Sequence, residues 1–239
     1  MFKRAFITGG AKRIGKGIVE FLASEGWSVV IHVNKSVDAA KELVAELNLR
    51  FPNQEFNMVS CDLVNWKESA DFFEDIINSF GPVDLLINNA SRYDSGAISE
   101  ATTIHLEEMQ AIHYFSPYMM GKVFKNRMKQ GQIINILDAS ICSNATSYSA
   151  YLLAKKNMGD FTKMAALQWA PNFRVNAIAP GPVLPANSPD SSTFESAVQA
   201  TPLQREVSLE DLCTALTYLI NANSVTGQIL FVDSGQHLL

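Results

Sequence analysis

Residues 5–22 read Ala5-Phe6-Ile7-Thr8-Gly9-Gly10-Ala11-Lys12-Arg13-Ile14-Gly15-Lys16-Gly17-Ile18-Val19-Glu20-Phe21-Leu22. Ala5 to Thr8 is short and apolar, which suits a buried strand, and Ile14, Ile18, Phe21 and Leu22 recur at helical spacing. The stretch therefore predicts a strand, a glycine turn and a helix. The unit repeats outward along the chain. Trp27 to Val33 predicts a second strand, and Ala39 to Leu49 a helix entered after Ser36 with Asp38 near its first turn. Phe56 to Val59 is a third strand, and a helix through Asp71, Phe72, Ile76 and Ile77 stops at Gly81-Pro82 before a fourth strand, Val83 to Ile87. A long helix over roughly 106–129 leads to a strand at Ile133 to Leu137. Another, from about Tyr148 to Trp169, leads to a strand at Arg174 to Ile178. Asp211 to Ile220 is helical again, and Gln228 to Val232 is the seventh strand.

Strands that alternate with helices and read as nearly continuous apolar runs imply a parallel sheet buried on both faces. Right-handed crossovers then leave a doubly wound α/β sheet, the Rossmann fold, with seven strands and helices on both faces. Residues 1–239 are expected to form one domain, interrupted only by a Pro- and Ser-rich lid at about 182–207 with a short helix around Phe194 to Ala200.

Composition excludes other classes. With 239 residues, 47% hydrophobic and 18% charged, the chain is neither disordered nor collagenous. Its net charge of −5 has the wrong sign for a nucleic-acid surface. No segment approaches the roughly 18 apolar residues of a membrane span, so no membrane partner is expected. Cys61, Cys142 and Cys213 lack metal-ligand spacing; they are expected to be buried free thiols in a cytoplasmic protein, with no metal site.

The turn at Thr8, Gly9, Arg13, Ile14 and Gly15 points to a dinucleotide, because glycines let the backbone approach a pyrophosphate favoured by the amides and dipole of the helix N-terminus. A bare tight turn is the bland alternative. An NAD site usually has a carboxylate about 20 residues further on, for the ribose hydroxyls. Here Asn34 stands 19 residues after Gly15, followed by Lys35 and Ser36. With a cation beside a hydroxyl and no repelling carboxylate, a 2′-phosphate is stabilised, so the expected cofactor is NADPH/NADP rather than NADH. A solvated Lys35 is the alternative.

Tyr151-Leu152-Leu153-Ala154-Lys155 is a YxxxK motif whose i, i+4 spacing puts phenol and ammonium on one helix face. A nearby cation is expected to lower the tyrosine pKa toward proton transfer. With the glycine turn, Asn88-Asn89-Ala90, Pro180-Gly181 and the final Val232-Asp233-Ser234-Gly235, the chain closely resembles the short-chain dehydrogenase/reductases over nearly its whole length. The resemblance implies hydride transfer between a nicotinamide and a carbonyl or imine, with Tyr151 as proton donor and Lys155 on the nicotinamide ribose. It also implies that Asp62 with Leu63 flanks the adenine, that Asn88, Asn89, Ala90 and Ser91 lie on the adenosine side, and that Pro180, Gly181 and Val183 lie by the nicotinamide.

Two departures narrow the expectation. Thirteen residues before Tyr151 the family usually has serine, and this chain has Asp138. A carboxylate cannot donate to a ketone oxygen unless protonated, but it suits an amine-rich heterocycle. With Arg13 in the turn and Asn34-Lys35-Ser36 after the second strand, Asp138 resembles the pteridine reductases and dihydromonapterin reductases. In that subgroup the matching residues Arg13, Ser91, Tyr93, Asp138 and Tyr151 bind the pterin, with Tyr93 sandwiching it against the nicotinamide. Ordinary core packing is the alternative for Tyr93. For Asp138 it is a loop or cap carboxylate, with Ser140 or Ser143 in the serine's role. Second, where the family commonly has an asparagine in its proton relay, this chain has His113, whose imidazole can accept and donate; a structural histidine is the alternative.

The function expected is NADPH-dependent reduction of a dihydropterin such as 7,8-dihydromonapterin, and more weakly of dihydrofolate, in a homotetramer or homodimer. Two rival readings remain: a general short-chain carbonyl reductase or alcohol dehydrogenase, and a non-catalytic NADP-binding sensor.

Overall fold

The computed structural model describes residues 3–184 and 192–239. The glycine-turn unit forms as expected: strand β1 (Arg4–Thr8) leads through the turn into helix α1 (Arg13–Ser24). β2 (Ser28–Val33), α2 (Val37–Arg50), β3 (Phe56–Ser60), α3 (Ser69–Phe80) and β4 (Leu85–Asn88) complete the first half. The second half runs through α4 (Thr103–Gln110), α5 (Ser116–Arg127), β5 (Gly131–Ile136), α6 (Ser149–Trp169) and β6 (Phe173–Pro180). It ends with α7 (Ser192–Gln199), α8 (Leu209–Asn221) and β7 (Ile229–Val232). All seven strands pair in parallel in the order β3-β2-β1-β4-β5-β6-β7, the doubly wound arrangement expected. The order reverses between β1 and β4, and a crevice opens there at the carboxyl ends of the strands.

Period-2 alternation divides the core between the two faces of the sheet. Ala5 and Ile7 of β1 pack with Ile18, Leu22, Leu43, Leu47 and Leu216 on the face covered by α1, α2 and α8. Phe6, between them, packs with Phe73, Met120, Phe124 and Phe161 under α3, α5 and α6. Each such fully buried side chain contributes roughly 1.5–3 kcal/mol of transfer free energy.

The long helix expected before β5 is not uniform. Between α4 and α5 the chain takes one π-helical turn, Ala111–Phe115, and His113 lies within it. The short helix expected in the Pro/Ser-rich segment is α7, whereas the lid's residues 185–191 lie outside the described residues. Cys142 corrects the expectation of buried thiols. It is exposed, because it ends a short turn on the surface, while Cys213 is buried and Cys61 partly so; all three are free.

A polar chain crosses the core beneath the crevice. Asn88 Nδ2 on β4 donates to Asn135 Oδ1 on β5 at 2.8 Å, Asn135 Nδ2 donates to Thr162 Oγ1 on α6 at 2.9 Å, and Thr162 donates to the Met158 carbonyl at 2.8 Å. It ties the helix carrying Tyr151 and Lys155 to β4, which ends at Asn88. Asn135 is fully buried, so Asn135→Ala strands the Asn88 amide and leaves a void. The expected loss is about 2–4 kcal/mol, read as a lower urea midpoint at unchanged slope.

Candidate functional site

The crevice is a cleft of about 620 Å³ at the switch point. One wall is the glycine turn. Gly9 has φ +66°, and a Cβ on Gly15 would fall 2.1 Å from the Gly9 carbonyl oxygen, so only glycine lets the start of α1 approach the turn this closely. Asn89 fixes the turn from β4. Its amide donates to the carbonyls of Thr8 at 2.9 Å and Gly9 at 3.0 Å, while Thr8 Oγ1 accepts from the backbone N–H groups of Asn89 and Ala90. Among the described residues the N-cap Lys12 makes no side-chain cap hydrogen bond and no carboxylate lies in the first turn of α1, a helix N-terminus suited to an anion. Lys12, Arg13 and Lys35 line the same wall. The residues present thus fit a phosphorylated dinucleotide.

His32 completes this wall. It is buried in β2, and its Nδ1 accepts the Gly9 N–H at 3.3 Å. Nε2 lies 3.1 Å from the Cys61 carbonyl, to which it must donate, so the neutral Nε2–H tautomer is the one that satisfies both contacts. Burial holds its pKa down at about 4. The imidazole therefore ties the phosphate side of the cleft, at Gly9, to the end of β3 beside Asp62 and Leu63. This residue was missed in the sequence reading, although a lone histidine inside the apolar run Val29-Val30-Ile31-His32-Val33 demands a polar partner and so was a signal.

The floor and far wall carry the polar chemistry. Tyr151 Oη donates to Asp138 Oδ2 at 2.8 Å, and Lys155 Nζ donates to the Ile136 carbonyl at 2.7 Å. Both helix residues are buried. Burial draws the Lys155 pKa down to about 8, with the Asp138 charge opposing. The Tyr151 pKa moves opposite to the expectation. Burial raises it well above the usual tyrosine range, and the Asp138 carboxylate reinforces the rise by accepting the phenol proton. Asp138, rather than Lys155, sets the hydrogen-bonded state of this tyrosine.

Among the expected cofactor residues, the glycines, Arg13, Ile14, Asn34, Lys35, Ser36, Asp62, Leu63, Asn89, Ala90, Ser91, Pro180 and Gly181 all line the cleft with Asp138, Tyr151 and Lys155. Thr8, Asn88 and Val183 do not. Thr8 is buried behind the turn, Asn88 faces Asn135, and Val183 packs into the core. Tyr93 stands beside the lining, stacked on Tyr148 at 4.1 Å between ring centroids and edge-on to Tyr151 at 4.9 Å. It is 57% exposed, and so is a surface platform rather than a core residue. Its neighbour Arg92 pairs with Asp94 and Glu108, both at 2.5 Å.

His113 stands behind Tyr151, edge-on at 5.0 Å. Its Nε2 is 3.0 Å from the Arg92 carbonyl and therefore carries the proton, while Nδ1 is buried without a partner. Burial, followed by the charge of Lys155, holds its pKa well below the usual value. The alternative serines are placed differently. Ser140 Oγ donates to Asp138 Oδ1 and Ser143 Oγ to the Ser140 carbonyl, and neither lines the cleft. Among the described residues no group of three or more His, Cys, Asp or Glu could hold a metal ion, and no helix is long and apolar enough to cross a membrane.

A doubly wound sheet with a glycine turn at its switch point and a Tyr-Lys helix opposite defines an oxidoreductase of the short-chain dehydrogenase/reductase type. The family model described as enoyl-(acyl carrier protein) reductase matches residues 9–237, and the chain belongs to that family. It is 31% identical to the uncharacterized oxidoreductase YmfI of Bacillus subtilis, covering 99% of this chain and 100% of that one. It is 29% identical to pteridine reductase 1 of Leishmania tarentolae, over 98% of this chain and 96% of the relative. Among solved structures it resembles FolM alternative dihydrofolate reductase 1 of Brucella canis, crystallised with NADP, at TM-score 0.91 and 32% identity over 99% of this chain and 95% of that one.

The neutral His32 makes stability depend on pH. Its folded pKa of about 4 lies below the usual 6.5, so the unfolded chain takes up the proton first as pH falls. Its contribution is complete above pH 6.5 and is lost toward pH 4, on the order of 3 kcal/mol in total. Urea unfolding should show this fall, and His32→Gln, which keeps an amide but cannot titrate, should make it shallower; equal slopes contradict the assignment.

Proposed function

We propose that this oxidoreductase uses NADPH to reduce a dihydropterin, 7,8-dihydromonapterin being the representative substrate, with dihydrofolate turned over more weakly. The carrying observation is the hydrogen bond from Tyr151 Oη to Asp138 Oδ2, 2.8 Å, at the floor of the cleft. A ketone oxygen needs a donor, and there a carboxylate instead offers an acceptor to N–H groups and, once protonated, an acid to a ring nitrogen. The similarity to pteridine reductase 1 and to FolM supports the same class.

NADPH held by the residues of the turn would supply the hydride to a ring C=N carbon. The chain's own residues do the rest. Lys12, Arg13 and Lys35 put positive charge on the wall of the cleft, in a protein of net charge −5, where a 2′-phosphate gains most from it. Lys155, anchored on the Ile136 carbonyl, would offer its remaining N–H donors to the nicotinamide ribose. Asp138 and Tyr151 hold a proton at the floor for the ring nitrogen. Asp138 is only partly buried, so it can be recharged from water. His113, held neutral by burial, packs edge-on behind Tyr151 and supports its position. Tyr93, backed by Tyr148, offers a rigid flat surface beside Tyr151 for the ring; orientation of this kind is worth several kcal/mol, about 7 at best. Exposed Tyr118, Met164 and Leu167 on α5 and α6 support a homo-oligomer, a tetramer or a dimer.

The purified protein should oxidise NADPH, in preference to NADH, when 7,8-dihydromonapterin is added, and respond little to simple ketones. Ketone turnover without pterin turnover assigns it instead to the carbonyl reductases. NADPH binding without turnover of any pterin, quinone or carbonyl makes it a non-catalytic binder.

A further inference from the structure

The two oxygens of Asp138 are engaged differently. Oδ2 meets Tyr151 Oη at 2.8 Å at the floor of the cleft. Oδ1 points the other way and takes two donors from one residue, the Ser140 backbone N–H at 2.8 Å and the Ser140 hydroxyl at 2.5 Å. Ser140 is itself fixed, because its carbonyl accepts from Ser143 N–H at 2.8 Å and Ser143 Oγ at 2.9 Å, closing the short turn Ala139–Cys142. That turn is held in its place by Lys156 on α6, whose Nζ donates to the Ser143 carbonyl at 2.6 Å. Ser140 does not line the cleft, so its hydroxyl has no direct reach to a substrate.

From this division we infer that Ser140 is a positioning residue that directs the Asp138 proton to Oδ2. A carboxyl oxygen already accepting two donors has little capacity left to carry a proton, and the hydroxyl and amide together also stop the group from rotating. The proton that Asp138 binds therefore sits on Oδ2, with the Tyr151 hydroxyl turned to accept it, until a ring nitrogen receives it. On donation the N–H bond forms as the Oδ2–H bond breaks, and the carboxylate left behind is stabilised by the two Ser140 donors. The inference rests on the role proposed above for Asp138 in supplying the proton.

The test compares Ser140→Ala, Ser140→Thr and Asp138→Ala in the full chain, with 7,8-dihydromonapterin as substrate. Ser140→Ala should lower kcat about 10-fold at pH 7, the scale of one hydrogen bond to a charged group. The NADPH KM should stay as in the native protein. Ser140→Thr, which keeps the hydroxyl, should restore kcat. A native kcat in Ser140→Ala alongside an inactive Asp138→Ala overturns the positioning role and leaves the proposed function standing, and an equal loss of kcat in the Ala and Thr variants overturns it too. Full pterin turnover by Asp138→Ala overturns the role of Asp138 and this inference with it. A thermal melt of each variant separates these effects from unfolding, and loss of kcat that tracks loss of Tm counts against the positioning role.

Discussion

The contact between Gly15 and the Gly9 carbonyl is the constraint from which the cleft follows. No Cβ fits there, so α1 begins hard against the turn, and its first amides face the crevice. The approach is locked from two sides: Asn89 bridges the carbonyls of Thr8 and Gly9, and His32 accepts the Gly9 N–H. β1, β2 and β4 all end at this knot, so the strand order and the cofactor wall share one set of hydrogen bonds. Loosening any of them would disturb the sheet edge and the binding wall together.

Electrostatics divide the cleft into two regions. The turn wall carries Lys12, Arg13 and Lys35, while the floor carries Asp138 among buried groups whose protonation it influences. Burial lowers the proton affinity of Lys155 to about 8 and raises that of Tyr151, and in both cases the charge of Asp138 acts in the direction of holding the proton. The site therefore stores protons on residues that face the substrate. A short-chain reductase that polarises a ketone with a serine donor has a different balance, and this is the physical ground for reading the substrate as a nitrogen heterocycle.

The doubly wound sheet was legible because its strands are buried on both faces and so read as unbroken apolar runs, such as Leu85-Leu86-Ile87 and Ile133-Ile134. The turn residues and the Tyr151–Lys155 pair were legible because local geometry places them, and Asp138 was legible through the family resemblance, thirteen residues before Tyr151. Side chains whose position depends on tertiary contacts were not. Nothing in the run from Thr103 to Arg127 signals a π-helical turn at His113, and the stacking of Tyr93 on Tyr148 joins loops 55 positions apart. The expectation that Lys155 would acidify Tyr151 failed because spacing along α6 shows the cation but neither the burial of the phenol nor its hydrogen bond to Asp138. His32 was passed over because its partners, Gly9 and Cys61, lie in other elements.

The central claim is that a carboxylate at position 138 makes this a pterin-reducing site. Its most direct test is Asp138→Ser, assayed for kcat/KM with 7,8-dihydromonapterin while NADPH affinity is measured on the same protein. General acid–base catalysis is worth roughly 10²–10⁴-fold, so pterin reduction should fall by about 100-fold or more while NADPH affinity holds. Unchanged pterin reduction, or a parallel loss of pterin turnover and NADPH binding, would contradict it.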